Sequence, residues 1–168
     1  DVSRRKLQHE LTVDAGPVSL GSFLTGTNLL AIWDTNALTL AIHDVVSGKP
    51  GGSWSYAHRG TGFVKIANDG QWCLTAGEGQ TGVVRQLSDG RGVGSVPLAD
   101  SLAGTFSPDG KQLAICYRSG LVRRWELPSL AEREPLRGFS SALGGFSSAN
   151  HRTMTFSPDG RRLAVGSA

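Results

Sequence analysis

Three groups of residues have the types and spacing that chemistry uses. Gly77-Glu78-Gly79-Gln80-Thr81-Gly82 matches the glycine pattern that cradles a dinucleotide pyrophosphate. That chemistry needs a helix directly after the glycines, so that its first N–H groups meet the phosphate. Val83-Val84-Arg85-Gln86-Leu87 follows instead, an apolar β-branched run that reads as a strand, and the glycines are expected to form a hairpin turn. The second group is Asp69, Asp109 and Asp159, each followed by glycine. Recurring carboxylates serve general acid–base pairs or calcium loops, but no D-x-[DN]-x-[DN]-G pattern is present, and their recurrence within the repeated phrase places one Asp in the same turn of successive units. The third group is the histidines His9, His43, His58 and His151 and the cysteines Cys73 and Cys116. No metal-ligand spacing links them, and no G-x-S-x-G elbow or G-x-x-x-x-G-K-[ST] loop accompanies them. The cysteines are expected to be small buried apolar residues. No catalytic residue, cofactor or metal is expected.

The elements that position these residues recur along the chain. Phe106-Ser107-Pro108-Asp109-Gly110-Lys111-Gln112-Leu113-Ala114-Ile115 returns as Phe156-Ser157-Pro158-Asp159-Gly160-Arg161-Arg162-Leu163-Ala164-Val165. A worn copy is Ile66-Ala67-Asn68-Asp69-Gly70-Gln71-Trp72-Cys73-Leu74-Thr75. Self-similarity at roughly 40–45 residues marks a repeat architecture, and β-rich content at that period points to propeller blades. Each unit shows one order of signals. A short strand ends in an aromatic or apolar residue, and an Asp-Gly turn reverses the chain because Gly70, Gly110 and Gly160 accept positive φ. Second strands are expected at 29–33, 72–76, 112–117 and 162–165, apolar on both faces as strands between neighbouring sheets must be. Third strands are expected at 38–44, 82–87 and 121–127. Their ends align His43-Asp44 with Arg85-Gln86 and Trp125-Glu126. Less regular fourth strands fall near 53–56, 94–98 and 133–136.

The Phe-Ser-Pro-Asp-Gly-x-x-Leu-Ala phrase and the Val122-Arg123-Arg124-Trp125-Glu126-Leu127 strand end resemble the WD-repeat family, across essentially the whole chain. The resemblance implies an all-β fold: a propeller of four-stranded antiparallel blades about a central channel. His43 and Arg85 stand where the family has the third-strand Trp that survives as Trp125, and Arg124 replaces the apolar residue before it. The family's internal Asp-His-Ser-Trp network is therefore not carried over intact. Blade-like units are expected at 16–57, 58–98 and 99–137, with part-blades at 1–15 and 150–168. The expectation is one domain that is an incomplete part of a larger ring; the rival is a small four-bladed ring with a makeshift last blade. Phe106, Phe156, Asp69, Asp109, Asp159 and Trp125 are expected to be structural.

Twenty-three glycines and seven prolines suit short strands and tight turns,. The net charge of +3 and the pI near 9.2 leave room for an acidic partner,. The basic residues do not cluster beyond Arg4-Arg5-Lys6, Arg123-Arg124 and Arg161-Arg162, so no nucleic-acid partner is expected. No apolar run is long enough to span a membrane and no signal segment opens the chain, so a cytoplasmic location is the default. One segment stands out. The step from Phe106 to Phe156 is fifty residues where the preceding step is forty, and the surplus lies in 138–150, rich in Gly and Ser with Phe139, Leu143 and Phe146. Loops on rigid scaffolds carry binding. The family resemblance places this loop, with the hairpin tips near Asn36 and Arg118, on one face where protein or peptide partners dock; the alternative is that the two Phe rings tuck back over the ring. His58, which reads as a turn-capping residue, is carried as a further partner-binding candidate. The function expected is a non-catalytic interaction scaffold. An accessory propeller of a hydrolase or peptidase, and a small-ligand propeller, remain as alternatives.

Overall fold

The strand order follows from the turns. In a computed structural model that describes residues 18–34, 39–55, 65–76, 80–137 and 153–166, fourteen strands run in sequence. They are β1 (Val18–Phe23), β2 (Leu29–Asp34), β3 (Thr39–Asp44), β4 (Pro50–Ser55), β5 (Lys65–Ile66), β6 (Trp72–Ala76), β7 (Thr81–Gln86), β8 (Gly92–Pro97), β9 (Ser101–Phe106), β10 (Gln112–Tyr117), β11 (Val122–Glu126), β12 (Glu132–Leu136), β13 (Thr153–Phe156) and β14 (Leu163–Gly166). Each strand pairs antiparallel with its sequence neighbour. Three four-stranded sheets result, β1–β4, β5–β8 and β9–β12, with a two-stranded fourth, β13–β14. The described residues include no α-helix. The chain divides into two compact units, residues 1–62 and 63–168.

Each turn between first and second strand closes by the same backbone bonds. Ala67, Ser107 and Ser157 donate N–H to the carbonyls of Trp72, Gln112 and Arg162, and Gly70, Gly110 and Gly160 donate back to Ala67, Ser107 and Ser157. These glycines have φ of 76°, 67° and 69°, a region that costs an L-residue about 1–2 kcal/mol. The turns between third and fourth strand are equally regular: Gly48, Gly90 and Leu130 donate to Asp44, Gln86 and Glu126. Leu130 holds φ of 54° where its counterparts are glycine. The two turns of a sheet are tied together, because Val45, Leu87 and Leu127 donate to the carbonyls of Asn28, Gln71 and Lys111.

Within residues 63–168, strand alternation puts successive side chains on opposite faces. Leu113, Ile115 and Tyr117 of β10, with Phe106 and Trp125, join Trp72, Leu74, Val84 and Val96 of the second sheet in one buried cluster. Ala114 and Cys116, from the other face of β10, join Ala103, Val122 and Met154 in a second cluster, against which Phe156, Leu163 and Val165 of the fourth sheet pack. The third sheet is thus covered on both faces. Burying each Leu or Ile here contributes about 1.5–3 kcal/mol. In β14 the alternation is half-satisfied: Leu163 and Val165 turn inward, while Ala164 and Gly166 are exposed. In residues 1–62 the neighbours Ala31 and Ile32, on opposite faces of β2, are both buried, as are Leu40 and Ile42. Phe23 takes the repeat position of Phe106, since they pair across the ladder with Leu30 and Leu113. Phe106 is buried, whereas Phe23 is 63% exposed.

Two close approaches lock neighbouring sheets. A Cβ on Gly110 would run into the Asp69 carboxylate from the preceding sheet's turn, and a Cβ on Gly94 would lie 2.6 Å from Cδ1 of Leu130 from the following sheet's turn. Leu130 accepts its unfavourable φ while filling the hollow over Gly94. Gly160 has the same φ as Gly110, but a Cβ there meets only Pro108 Cδ, at 3.8 Å.

This difference gives a test. Gly160→Ala is expected to lose about 1–2 kcal/mol in urea denaturation, the backbone cost alone. Gly110→Ala is expected to lose at least about 1 kcal/mol more, from overpacking. Adding Asp69→Ala to Gly110→Ala should recover part of that excess. Equal costs for the two glycines would contradict the turn-to-turn contact.

Candidate functional site

The structure gathers the repeat's polar residues into the turns, where they serve the backbone. In the third sheet, Ser107 Oγ donates to Asp109 Oδ1 at 2.6 Å and accepts from Gln112 N at 2.9 Å. Asp109 Oδ1 also accepts from Lys111 N at 3.1 Å. The fourth sheet repeats this, with Ser157 Oγ to Asp159 Oδ1 at 2.5 Å and Arg162 N to Ser157 Oγ at 2.9 Å. The serine hydroxyl and then the backbone N–H hold the Asp109 and Asp159 carboxyls below the usual carboxylate range, because hydrogen bonds to the charged form favour it. Asp44 is lowered likewise by the N–H groups of Ser47 and Val46. In the second sheet Ala67 stands where Ser107 and Ser157 are. Asp69 Oδ1 accepts from Gln71 N at 3.1 Å, and Oδ2 is buried with no hydrogen-bond partner. Every Asp of the Asp-Gly phrase is therefore a turn residue in a different sheet. Among the described residues, no group of three or more His, Cys, Asp or Glu side chains converges to hold a metal.

The most elaborate polar arrangement lies on β11 and β12. Arg123 grips Glu132 through two bonds, Nε to Oε1 at 2.6 Å and Nη2 to Oε2 at 2.7 Å. Its guanidinium sits 5.1 Å from the Trp125 ring centroid and 5.8 Å from that of Tyr117, within cation–π range. Each member shifts the others. The Arg123 bond lowers the Glu132 carboxyl, and Glu132 raises Arg123 further. Burial pushes the Tyr117 hydroxyl up to about 12, so it stays protonated and donates to Pro97 O at 2.6 Å. That bond ties the third sheet to the second. Arg133 pairs with Glu126 on the other face of the ladder. Arg124 Nη2 donates to Glu134 O at 2.9 Å, while its Nε is buried without an acceptor.

No protein-family model matches the chain, and no curated protein matches it.

The residues expected to bind a partner are unevenly placed. Phe139, Leu143, Phe146, Asn36 and His58 lie outside the described residues. Arg118 is exposed in the turn after β10. Its N–H donates to Asp100 O at 2.9 Å, and its guanidinium lies 3.9 Å from the Asp100 carboxylate, both between the second-to-third-strand turn and the connection into β9. The structural assignments have clear geometric roles: Trp125 is 4% exposed within the core, Phe106 is buried, Phe156 is half-buried, and the three Asp-Gly glycines take positive φ. Gln80 leads directly into β7, so among the described residues a strand, not a helix, follows the glycine pattern. Cys73 and Cys116 are buried thiols. Two residues carry weight that sequence reasoning missed. Leu130 fills the hollow over Gly94, and the signal for it was a non-glycine at the position of Gly48 and Gly90. Tyr117 links sheets through its hydroxyl, and no periodic signal announces that bond.

The turn chemistry yields a pH prediction. Asp109 has a native pKa below its unfolded value, so it stabilises the fold above that unfolded value, and the contribution is lost as pH falls through the native pKa. Ser107→Ala removes the largest cause of the shift. An NMR titration should then show the Asp109 carboxyl pKa moving up toward the ordinary value. The variant's stability should also fall less between neutral and acid pH than that of the parent. An unmoved Asp109 titration would contradict the assigned bond.

Proposed function

We propose that the chain is a non-catalytic binding module of WD-repeat type, its sheets set as blades about a common axis and forming part of a ring. The observation that carries this reading is the third sheet. It is covered on opposite faces by the sheets before and after it, with the same paired turns repeated from sheet to sheet. A stack that continues in that way has its long-range order fixed by the units and leaves the connecting loops to vary. Among the described residues, the recurrent carboxylates are engaged in turns, Arg123 and Glu132 pair with each other, and the Tyr117 hydroxyl is spent on the Pro97 carbonyl. A rigid array with variable connections fits recognition of a protein or peptide, with affinity supplied by a few aromatic or arginine anchors.

The longer connection at 138–150 is where this reading places the main anchor, on the strength of Phe139 and Phe146 in a Gly- and Ser-rich segment. The test is the double variant Phe139→Ser/Phe146→Ser. It is expected to melt at the parent temperature and to lose capture of the protein that the parent retains, as read by affinity capture and mass spectrometry. Undiminished capture by the double variant would remove the loop from the binding role.

A further inference from the structure

We propose that the Asp89–Gly90 peptide bond is the chain's site of spontaneous isoaspartate formation, and that the other three Asp-Gly bonds are shielded from the same reaction by the contacts their carboxylates make. Such a modification site does not depend on the binding-module reading.

The reaction needs only the bond itself and water. The Gly90 amide nitrogen attacks Cγ of Asp89 in its neutral acid form. An N–Cγ bond forms, and the carboxyl hydroxyl leaves as water with the amide proton, closing a five-membered succinimide. Water then adds to the ring carbonyl that was the Asp89 backbone carbonyl, and the bond from that carbon to the Gly90 nitrogen breaks. The main chain now runs through Cγ, and the old backbone carbonyl is a free carboxylate. One water leaves and one enters, and nothing is oxidised or reduced. Glycine permits the attack because no Cβ crowds its nitrogen. Asp-Gly occurs four times, at 69–70, 89–90, 109–110 and 159–160. In all four the glycine N–H donates to a backbone carbonyl, at 3.0, 3.0, 3.0 and 2.8 Å in that order. Each turn must therefore open before its nitrogen can react, and the nitrogens do not distinguish the sites.

The carboxylates do. Asp109 and Asp159 each accept from a serine hydroxyl, at 2.6 and 2.5 Å, and from the N–H two residues on, at 3.1 and 3.0 Å. Two donors hold the carboxylate charged, and the charged form does not give up water. Asp69 has alanine in place of that serine, but its Oδ2 is packed against the next sheet's turn, where a Cβ on Gly110 would lie 1.7 Å from it. Its Cγ is thereby held away from its own peptide nitrogen. Asp89 has neither restraint. It is exposed, and among the described residues it accepts one bond, from Arg91 N at 2.9 Å. The turn leads into β8, an edge strand in which Val96 alone is buried, so local opening there costs little. Conversion has a structural consequence. Isoaspartate adds a methylene to a main chain closed by Gln86 N to Arg91 O at 2.9 Å and Gly90 N to Gln86 O at 3.0 Å. β8 begins at Gly92 and carries both Val96 and the hollow over Gly94 that Leu130 fills. A lengthened turn loosens this strand and with it the contact between the second and third sheets.

The test incubates the folded 168-residue chain at neutral pH and physiological temperature in ¹⁸O-labelled water. Peptide mapping with electron-transfer fragmentation then locates isoaspartate and label at each Asp-Gly bond. Asp89 is expected to convert at least about tenfold faster than Asp69, Asp109 or Asp159. In urea, where the turns are open, the four sites are expected to convert at comparable rates. Ser157→Ala is expected to speed conversion at Asp159 and to leave Asp89 unchanged. Asp89→Glu cannot close the five-membered ring. It is expected to show no conversion at 89 and to keep its melting temperature through the incubation, while the aged parent melts lower. Equal rates at all four bonds of the folded chain, a faster rate at any other Asp-Gly bond, or no conversion at Asp89 would overturn the proposal. So would an unmoved Asp159 rate in Ser157→Ala, since the serine bond would then shield nothing.

Discussion

A strand whose two faces both meet apolar neighbours has no solvent side, and β10 is such a strand. Leu113, Ile115 and Tyr117 look one way and Ala114 and Cys116 the other, and all five are buried. From that constraint much else follows. A sheet covered on both faces must have sheets on either side, and these must come from the same chain through short connections. The connections must then reverse the chain tightly enough to keep each sheet's four strands together. The Asp-Gly turns achieve this with two backbone bonds and one glycine at positive φ. Bulky residues such as Trp125 and Phe106 fill one interface, and smaller ones such as Ala103, Ala114 and Cys116 fill the other.

The interfaces are held by more than apolar area. Neighbouring turns touch, Asp69 against Gly110, and Leu130 reaches across to Gly94. Tyr117 sends its hydroxyl to the Pro97 carbonyl. Each of these contacts joins the third sheet to the second, so the pair behaves as a unit with directional bonds added to hydrophobic burial. Arg123 contributes in a different way. Its guanidinium covers the Trp125 and Tyr117 rings at the margin of the core and is anchored by Glu132, so a cation shields aromatic edges from water without itself losing a partner. Arg124, on the opposite face, is held instead by a single bond to the Glu134 carbonyl.

Much of the fold was legible in the residues. The Asp-Gly phrase marked three of the four first turns. The alignment of His43, Arg85 and Trp125 held to the ladder, since they face Leu30, Cys73 and Leu113 in equivalent registers. The fourth first-to-second-strand turn was opaque for a physical reason. There the chain uses Thr25-Gly26-Thr27-Asn28, with positive φ at Gly26, one position earlier, and Thr27 Oγ1 bonding the Leu24 carbonyl. A different turn chemistry closes the same hairpin and leaves no phrase to match. Leu130 was hidden because a tertiary contact outweighs its local preference. The candidate site was less legible. Arginine before Trp125 could be seen as a departure, but only the structure shows Arg124 bonded to the Glu134 carbonyl and Arg123 gripping Glu132 beside the Trp125 and Tyr117 rings.

Interfaces between successive sheets hold residues 63–168 together, and the contact of Leu130 with Gly94 reports on one of them without reference to any partner. In a NOESY spectrum of the methyl-labelled protein, the Leu130 δ-methyl groups should give a strong cross-peak to the Gly94 Hα protons, which belong to a strand more than thirty residues earlier in the chain. Cross-peaks from Leu130 only to its own turn and none to Gly94 would contradict the packing of the second sheet against the third.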